Sequence, residues 1–354
     1  MTQPSEVSQE RLTAFHAMLM RVAGKVPDEM ISQAREWLAQ GKLGEVSRAV
    51  IYAATAQGIA MDQFDITLLA DQLNVEGDDP NVVGAITVAQ FDPAPPYIFS
   101  PNGPGREDEE RVEDGPRDEL DRQAVEAVKS IEGVVGLWRT WRSPLAGSPW
   151  PPPRHVFLLE TGANAQFAEL AGRVQRELTA AGESSPQIEV FPSGVELPVY
   201  QRMARAYATL LWSVTPEPEI QIAKAFDEVD PQAGPRFRAD HPKLDGEEMT
   251  RVLEYLDGGH VLMTTTAQMD DVVDTSRRST VPMNFRTDGN WIWTDAMTYY
   301  LREHHLEPDT DLMTHIRQTE YNVPELDGVA VHRALRVLQA PAEEEPAWTY
   351  DPSA

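Results

Sequence analysis

The sequence predicts a multidomain chain of α+β or α/β class: a small N-terminal helical bundle, an acidic linker, and a C-terminal mixed-sheet region with packed helices and a β-hairpin. Three observations predict it. Apolar residues over positions 8–75 recur at helical spacing. Residues 76–122 break that period and carry 13 acids against 4 arginines. Beyond them, continuous apolar runs of strand length alternate with helical stripes, as strands buried under helices require. The expected units are a helical module 1–75, a Pro/Gly-containing linker 76–122, an α/β unit 123–232, a hairpin-plus-helices unit 233–340 and an acidic tail 341–354.

In the first helix Leu12, Phe15, Leu19 and Val22 share one face, and Gly24 with Pro27 separates it from a second helix carrying Ile31, Ala34 and Leu38. A third, about Leu43 to Gln57, is Ala-rich and stops at Gly58, and a fourth follows Asp65 with Ile66, Leu69 and Leu73. Short loops between them imply antiparallel neighbours. In the linker, Ala85–Phe91 reads as a short strand, the Pro-rich runs after Asp92 and Pro101 as turns, and Glu107–Asp121 as a solvated charge run.

A helix near Leu120–Ile131 then precedes a strand at Val134–Trp141. Val156–Leu159 is a second, buried strand leading into a helix with Phe167, Leu170, Val174 and Leu178 on one stripe. Gln187–Phe191 is a further strand, followed by a helix over Pro198–Trp212. The last block holds a helix at Gly246–Leu256, a strand at Val261–Thr266 and a hairpin whose turn is Asp288-Gly289, with Met283, Phe285, Trp291 and Trp293 alternating along it. Thr294 is placed to cap the next helix, Asp295–His305, and two more follow near Thr310–Thr319 and Pro324–Leu338.

Composition excludes several chemistries. With no cysteine, disulfides, thiolate nucleophiles and cysteine-based metal sites are absent. No apolar run approaches the roughly 20 residues of a membrane span, and the polar first residues suggest no export signal, so a cytoplasmic location is expected. The net charge is −27. About half of it lies in the linker (−9) and tail (−4), while residues 123–340 contribute −11, a balance that disfavours nucleic acid and favours a basic protein partner. No phosphate loop, dinucleotide fingerprint, nucleophile elbow or His-Glu-x-x-His helix occurs, and no cofactor or metal is implied.

The stretch from Thr264 through Val281-Pro-Met-Asn-Phe-Arg-Thr-Asp-Gly-Asn-Trp-Ile-Trp-Thr-Asp-Ala to His315-Ile-Arg resembles a C-terminal module of uncharacterised actinobacterial proteins, some encoded near type VII secretion or toxin genes. The resemblance implies an immunity-like or accessory role and carries no catalytic residues with it.

The candidate site is the hairpin region. Asp270, Asp271 and Asp274, with Arg286 and Asp288, place carboxylates and a guanidinium where they are able to grip an anion, hold a hard cation or face solvent as ion pairs. Trp291 and Trp293 are either an aromatic platform or the core between hairpin and helix. His304, His305 and His315 are poorly spaced as metal ligands, and the turn Glu160–Asn164 reads as ordinary helix capping. Two functions follow: a non-enzymatic interaction protein whose acidic face binds a basic partner, or an enzyme or small-ligand domain using Asp271, Asp274, Arg286 and Asp288.

Overall fold

The computed structural model describes residues 8–104, 113–145, 151–230, 232 and 234–340. The expected acidic tail and part of the charge run lie outside them. The chain forms two compact units, Met1–Thr215 and Pro216–Ala354. Residues 1–75, 76–122 and 123–215 therefore share one unit, and the boundary expected at 232/233 falls inside the other.

The first unit opens with helices α1 (Gln9–Val22), α2 (Asp28–Ala39), α3 (Leu43–Gln57) and α4 (Gln63–Glu76), closely as the periodicity predicts. Gly58 and Gly77 end α3 and α4 in left-handed conformations that a side chain would strain. Ala85–Phe91 is not a strand: Pro80–Ala85 is a 3-10 helix, and Val88 makes only an isolated bridge to Met61. The expected linker instead contains a strand, β1 (Tyr97–Ser100).

The sheet continues with α5 (Glu119–Val128), β2 (Val134–Pro144), β3 (Arg154–Thr161), α6 (Phe167–Ala180), β4 (Gln187–Pro192), α7 (Val199–Ala206) and β5 (Thr209–Ser213). The helix expected through Trp212 ends at Ala206, and Thr209–Ser213 pairs with β2. The order is β1-β2-β3-β4, with β5 beside β1 on the same edge of β2. Strands β3 and β4 are parallel, and β2 runs against its neighbours. Helices α5 and α6 close one face over Leu137, Phe157, Leu159, Ile188 and Val190.

The N-terminal helices are held to this sheet because β4 is an edge strand whose outward carbonyls need donors. Ser32 Oγ donates to Pro186 O at 2.8 Å, and His16 Nε2 to Val190 O at 2.7 Å. Helix α2 approaches α6 so closely that a Cβ on Gly172 would lie 2.4 Å from Ala39 Cβ. Buried ion pairs fix the register: Arg35 with Glu189 at 2.6 Å, and Arg142 with Asp28 through two hydrogen bonds of 2.6 and 2.7 Å.

The second unit contains short strands β6 (Gln221–Ile222), β7 (Glu228–Asp230) and β8 (Gly234–Arg236), helix α8 (Gly246–Gly258), then β9 (His260–Met263), β10 (Gln268–Met269), β11 (Val281–Pro282), β12 (Phe285–Thr287) and β13 (Trp291–Thr294). Helices α9 (Asp295–His304), α10 (Thr310–Gln318) and α11 (Gly328–Leu338) complete it. Its principal sheet runs β6-β13-β12-β9, and β12 with β13 is the expected hairpin. Within the turn only Gly289 has positive φ, at 91°, so Asp288 contributes its carboxylate rather than its backbone conformation. Thr294 occupies the N-cap position of α9 but makes no side-chain cap; its hydroxyl is buried and has no hydrogen bond among the described residues.

Candidate functional site

The structure separates the predicted site residues into three groups. Asp270 and Asp274 lie in the 270–278 loop, where Asp270 pairs with Arg278 at 2.5 Å and Asp274 with Arg277 at 3.3 Å. Arg286 spans the base of the hairpin: its Nε donates to Asp295 Oδ1 at 2.6 Å and its Nη1 to the carbonyls of Asp257 and Gly259. Asp271 and Asp288 are buried, each 1% exposed. Among the described residues no hydrogen bond or ion pair joins the loop to the hairpin.

Asp271 and Asp288 repeat one arrangement. One oxygen of Asp271 accepts the backbone N–H groups of Val273 and Asp274 at 2.8 and 3.1 Å, and the other is met by Tyr299 OH at 3.0 Å and His304 Nε2 at 2.6 Å. One oxygen of Asp288 accepts Asn290 N–H and Trp291 N–H at 2.9 and 2.7 Å, and the other is met by Tyr255 OH at 2.5 Å and His315 Nε2 at 2.6 Å. Each carboxylate thus has about four acceptor positions and four partners.

Burial alone would raise the pKa of Asp271, but the hydrogen bonds from His304, Asp274, Val273 and Tyr299 outweigh it and hold that pKa below the usual carboxylate range. Burial, reinforced by the Asp288 carboxylate, pushes the Tyr255 hydroxyl well above the usual tyrosine value. These groups fasten the loop and the hairpin turn to α8, α9 and α10, and they leave no lone pair turned to a substrate or cation. The aromatic platform is likewise replaced by core: Trp291 and Trp293 are 8% and 0% exposed and pack with Met297, Leu301 and Leu312. A Cβ on Gly259 would lie 2.2 Å from the Trp293 indole, so that glycine admits the ring.

His304 and His315 serve separate aspartates, and His305 pairs with Asp245 at 2.5 Å, so the three histidines do not converge. In the first unit Asp118, Asp121 and His155 bring ligand-type atoms within 4.8 Å of one another. Asp121, however, is gripped by Arg139 through Nε and Nη2 at 3.1 and 3.0 Å, and also accepts Arg117 N–H at 3.0 Å. The Arg139 guanidinium already occupies the place of a cation beside Asp121. The turn 160–164 precedes a helix without a side-chain cap.

Charge is distributed more unevenly than the chain average indicates. Residues 123–215 hold 8 acids and 8 basic residues, whereas residues 216–340 hold 23 acids against 12 and carry the whole −11. Arginines 236, 238, 277, 278, 286, 302 and 317 are all committed to carboxylates of the same unit. The surplus therefore sits on exposed side chains such as Glu247 and Glu254, seven residues apart on one side of α8, and Asp311 on α10.

A cavity of about 780 Å³ in the first unit was not anticipated. It lies at the carboxyl end of β4, between α1, the segments 60–65 and 89–92, and the start of α7. The sequence signal for it was a lone histidine, His16, next to Phe15 on the apolar side of the first helix.

Compared with models of protein families, with curated proteins and with solved structures, the chain matches none. No helix among the described residues is long and apolar enough to cross a membrane.

Proposed function

We propose that the protein is a non-enzymatic interaction protein whose second unit engages a basic protein partner through its acidic surface, in an immunity-like or secretion-accessory role. The observation that carries this reading is the division of labour among the carboxylates of that unit. Asp271, Asp288 and Asp295 are consumed by internal hydrogen bonds, and the unmatched charge is displayed on exposed helical positions including Glu247 and Glu254. Buried, fully bonded acids build a rigid scaffold, and exposed unpaired ones set a field that steers a cationic surface toward it.

The reading is tested by capturing tagged full-length protein from its native host at low and high salt. A single basic protein, retained at low salt, lost at high salt and lost from a Glu247→Lys/Glu254→Lys variant, is the expected result. Capture that is indifferent to salt and to both reversals would refute the charge-based mechanism. The alternative, an enzyme using Asp271, Asp274, Arg286 and Asp288, is not favoured by the geometry, because the 270–278 loop that holds Asp271 and Asp274, the Arg286–Asp295 pair and the Asp288 cluster are bonded to different partners and do not converge.

A further inference from the structure

We infer that the cavity in the first unit is a binding site for an uncharged, largely apolar small molecule that presents a hydroxyl to His16 Nδ1. Three observations carry the inference. The first is size: about 780 Å³ falls within the range of roughly 300–1,000 Å³ that small-molecule sites occupy, at the carboxyl end of a sheet strand where α/β proteins commonly bind ligands.

The second is the wall. Met20, Met61, Phe167, Val190, Phe191 and Leu197 give it an apolar lining. Six of the charged groups at its margin are matched with one another, Arg21 with Asp65 at 2.6 Å, Lys25 with Asp92 at 2.7 Å and Arg202 with Glu196 at 3.7 Å, while the exposed Asp62 caps α4 by accepting Phe64 N–H at 2.7 Å. An anionic ligand would have to break one of these pairs to meet a cation, and an uncharged one would not.

The third is His16, 5% exposed and stacked on Phe167. Its Nε2–H is committed to Val190 O, which fixes the tautomer and leaves Nδ1 as an acceptor. Nδ1 is the one buried polar atom of the lining residues that has no hydrogen bond among the described residues. Burial, assisted by the nearby Arg35 charge, outweighs the bond to Val190 and lowers the His16 pKa to about 4, so the ring is neutral near pH 7. A buried acceptor without a donor is costly; Nδ1 lies just behind the cavity wall, and a ligand hydroxyl that reaches it by a small shift of the lining side chains supplies what the protein does not.

The test uses the full chain with two probes of nearly equal size, 1-naphthol and 1-methylnaphthalene, titrated by fluorescence. Naphthol is expected to bind about 5-fold to 10-fold more tightly, the worth of one buried hydrogen bond. His16→Phe is expected to erase that preference while methylnaphthalene still binds, and Ala17→Trp, a partly exposed wall position, to abolish binding of both without unfolding the chain. Absence of binding by either probe, equal affinity for the two, or a preference that survives His16→Phe would each overturn the assignment.

Discussion

Replacing Glu189 by Gln tests how the N-terminal helices are held to the sheet. Arg35 and Glu189 are 1% and 0% exposed and meet at 2.6 Å, and the second carboxylate oxygen accepts Gln201 Nε2 at 2.8 Å. At an effective dielectric of about 20, two unit charges that close attract by about 6 kcal/mol, most of it offset by the cost of removing both from water. The substitution leaves the desolvation of Arg35 in place and removes its partner. Arg35 Nε and Nη1 already lack hydrogen bonds among the described residues, so none of these takes over. The expected loss is about 3–5 kcal/mol, measured by urea unfolding and located by hydrogen exchange in peptides from α2 and β4. An Arg35→Met/Glu189→Gln double variant, which removes both charges and keeps an acceptor for Gln201, should recover most of that loss. A single variant within about 0.5 kcal/mol of wild type, or a double variant as unstable as the single, would refute the argument.

Three further outcomes are expected. Gly259→Ala should destabilise the second unit by about 1–3 kcal/mol through overpacking against Trp293, seen as reduced protection of β9 and β13 in hydrogen exchange. Asp288→Ala orphans two backbone N–H groups, Tyr255 OH and His315; a loss of about 3 kcal/mol or more in unfolding experiments is expected from several stranded buried groups. His16 makes stability pH-dependent: its folded pKa of about 4 lies below the ordinary histidine value of 6.5, so the unfolded chain binds the proton first. Its contribution is complete above about pH 6.5 and is lost on acidification toward pH 4, at up to about 1.4 kcal/mol per pH unit. Urea unfolding of wild type and His16→Phe across that window should show the steeper acid loss in wild type; equal slopes would contradict it.

Much of the secondary structure was legible because it follows local rules. The four N-terminal helices were marked by apolar spacing and closing glycines, and the hairpin by Asp288-Gly289 between alternating large residues. β1 was hidden because prolines at 93, 95 and 96 read as linker, although Tyr97–Ser100 beyond them is free to pair. β5 was hidden because Leu210, Leu211 and Trp212 extend the apolar content of the preceding helix. The unit boundary was missed for a different reason. Arg35, Asp28, Arg142 and Glu189 look like surface charges in sequence, and only the fold shows that they are buried pairs joining α2 to the sheet.

The candidate residues had the same ambiguity. Asp271 and Asp288 were picked out as chemically capable, but their partners Tyr299, His304, Tyr255 and His315 lie 27 to 33 residues away, beyond any local motif. Those partners turn a possible reactive acid into a structural fastening. Trp291 and Trp293 have the alternation of a platform, yet both lie in the core, which periodicity alone cannot distinguish.

The most direct test of the proposed function is the association rate of the purified chain with its captured partner, followed as ionic strength is raised. Charge steering predicts a rate that falls steeply with salt, a dissociation rate that changes little, and a weaker salt dependence for Glu247→Lys/Glu254→Lys. An association rate that is flat across the salt series, or identical in the variant, would contradict the account.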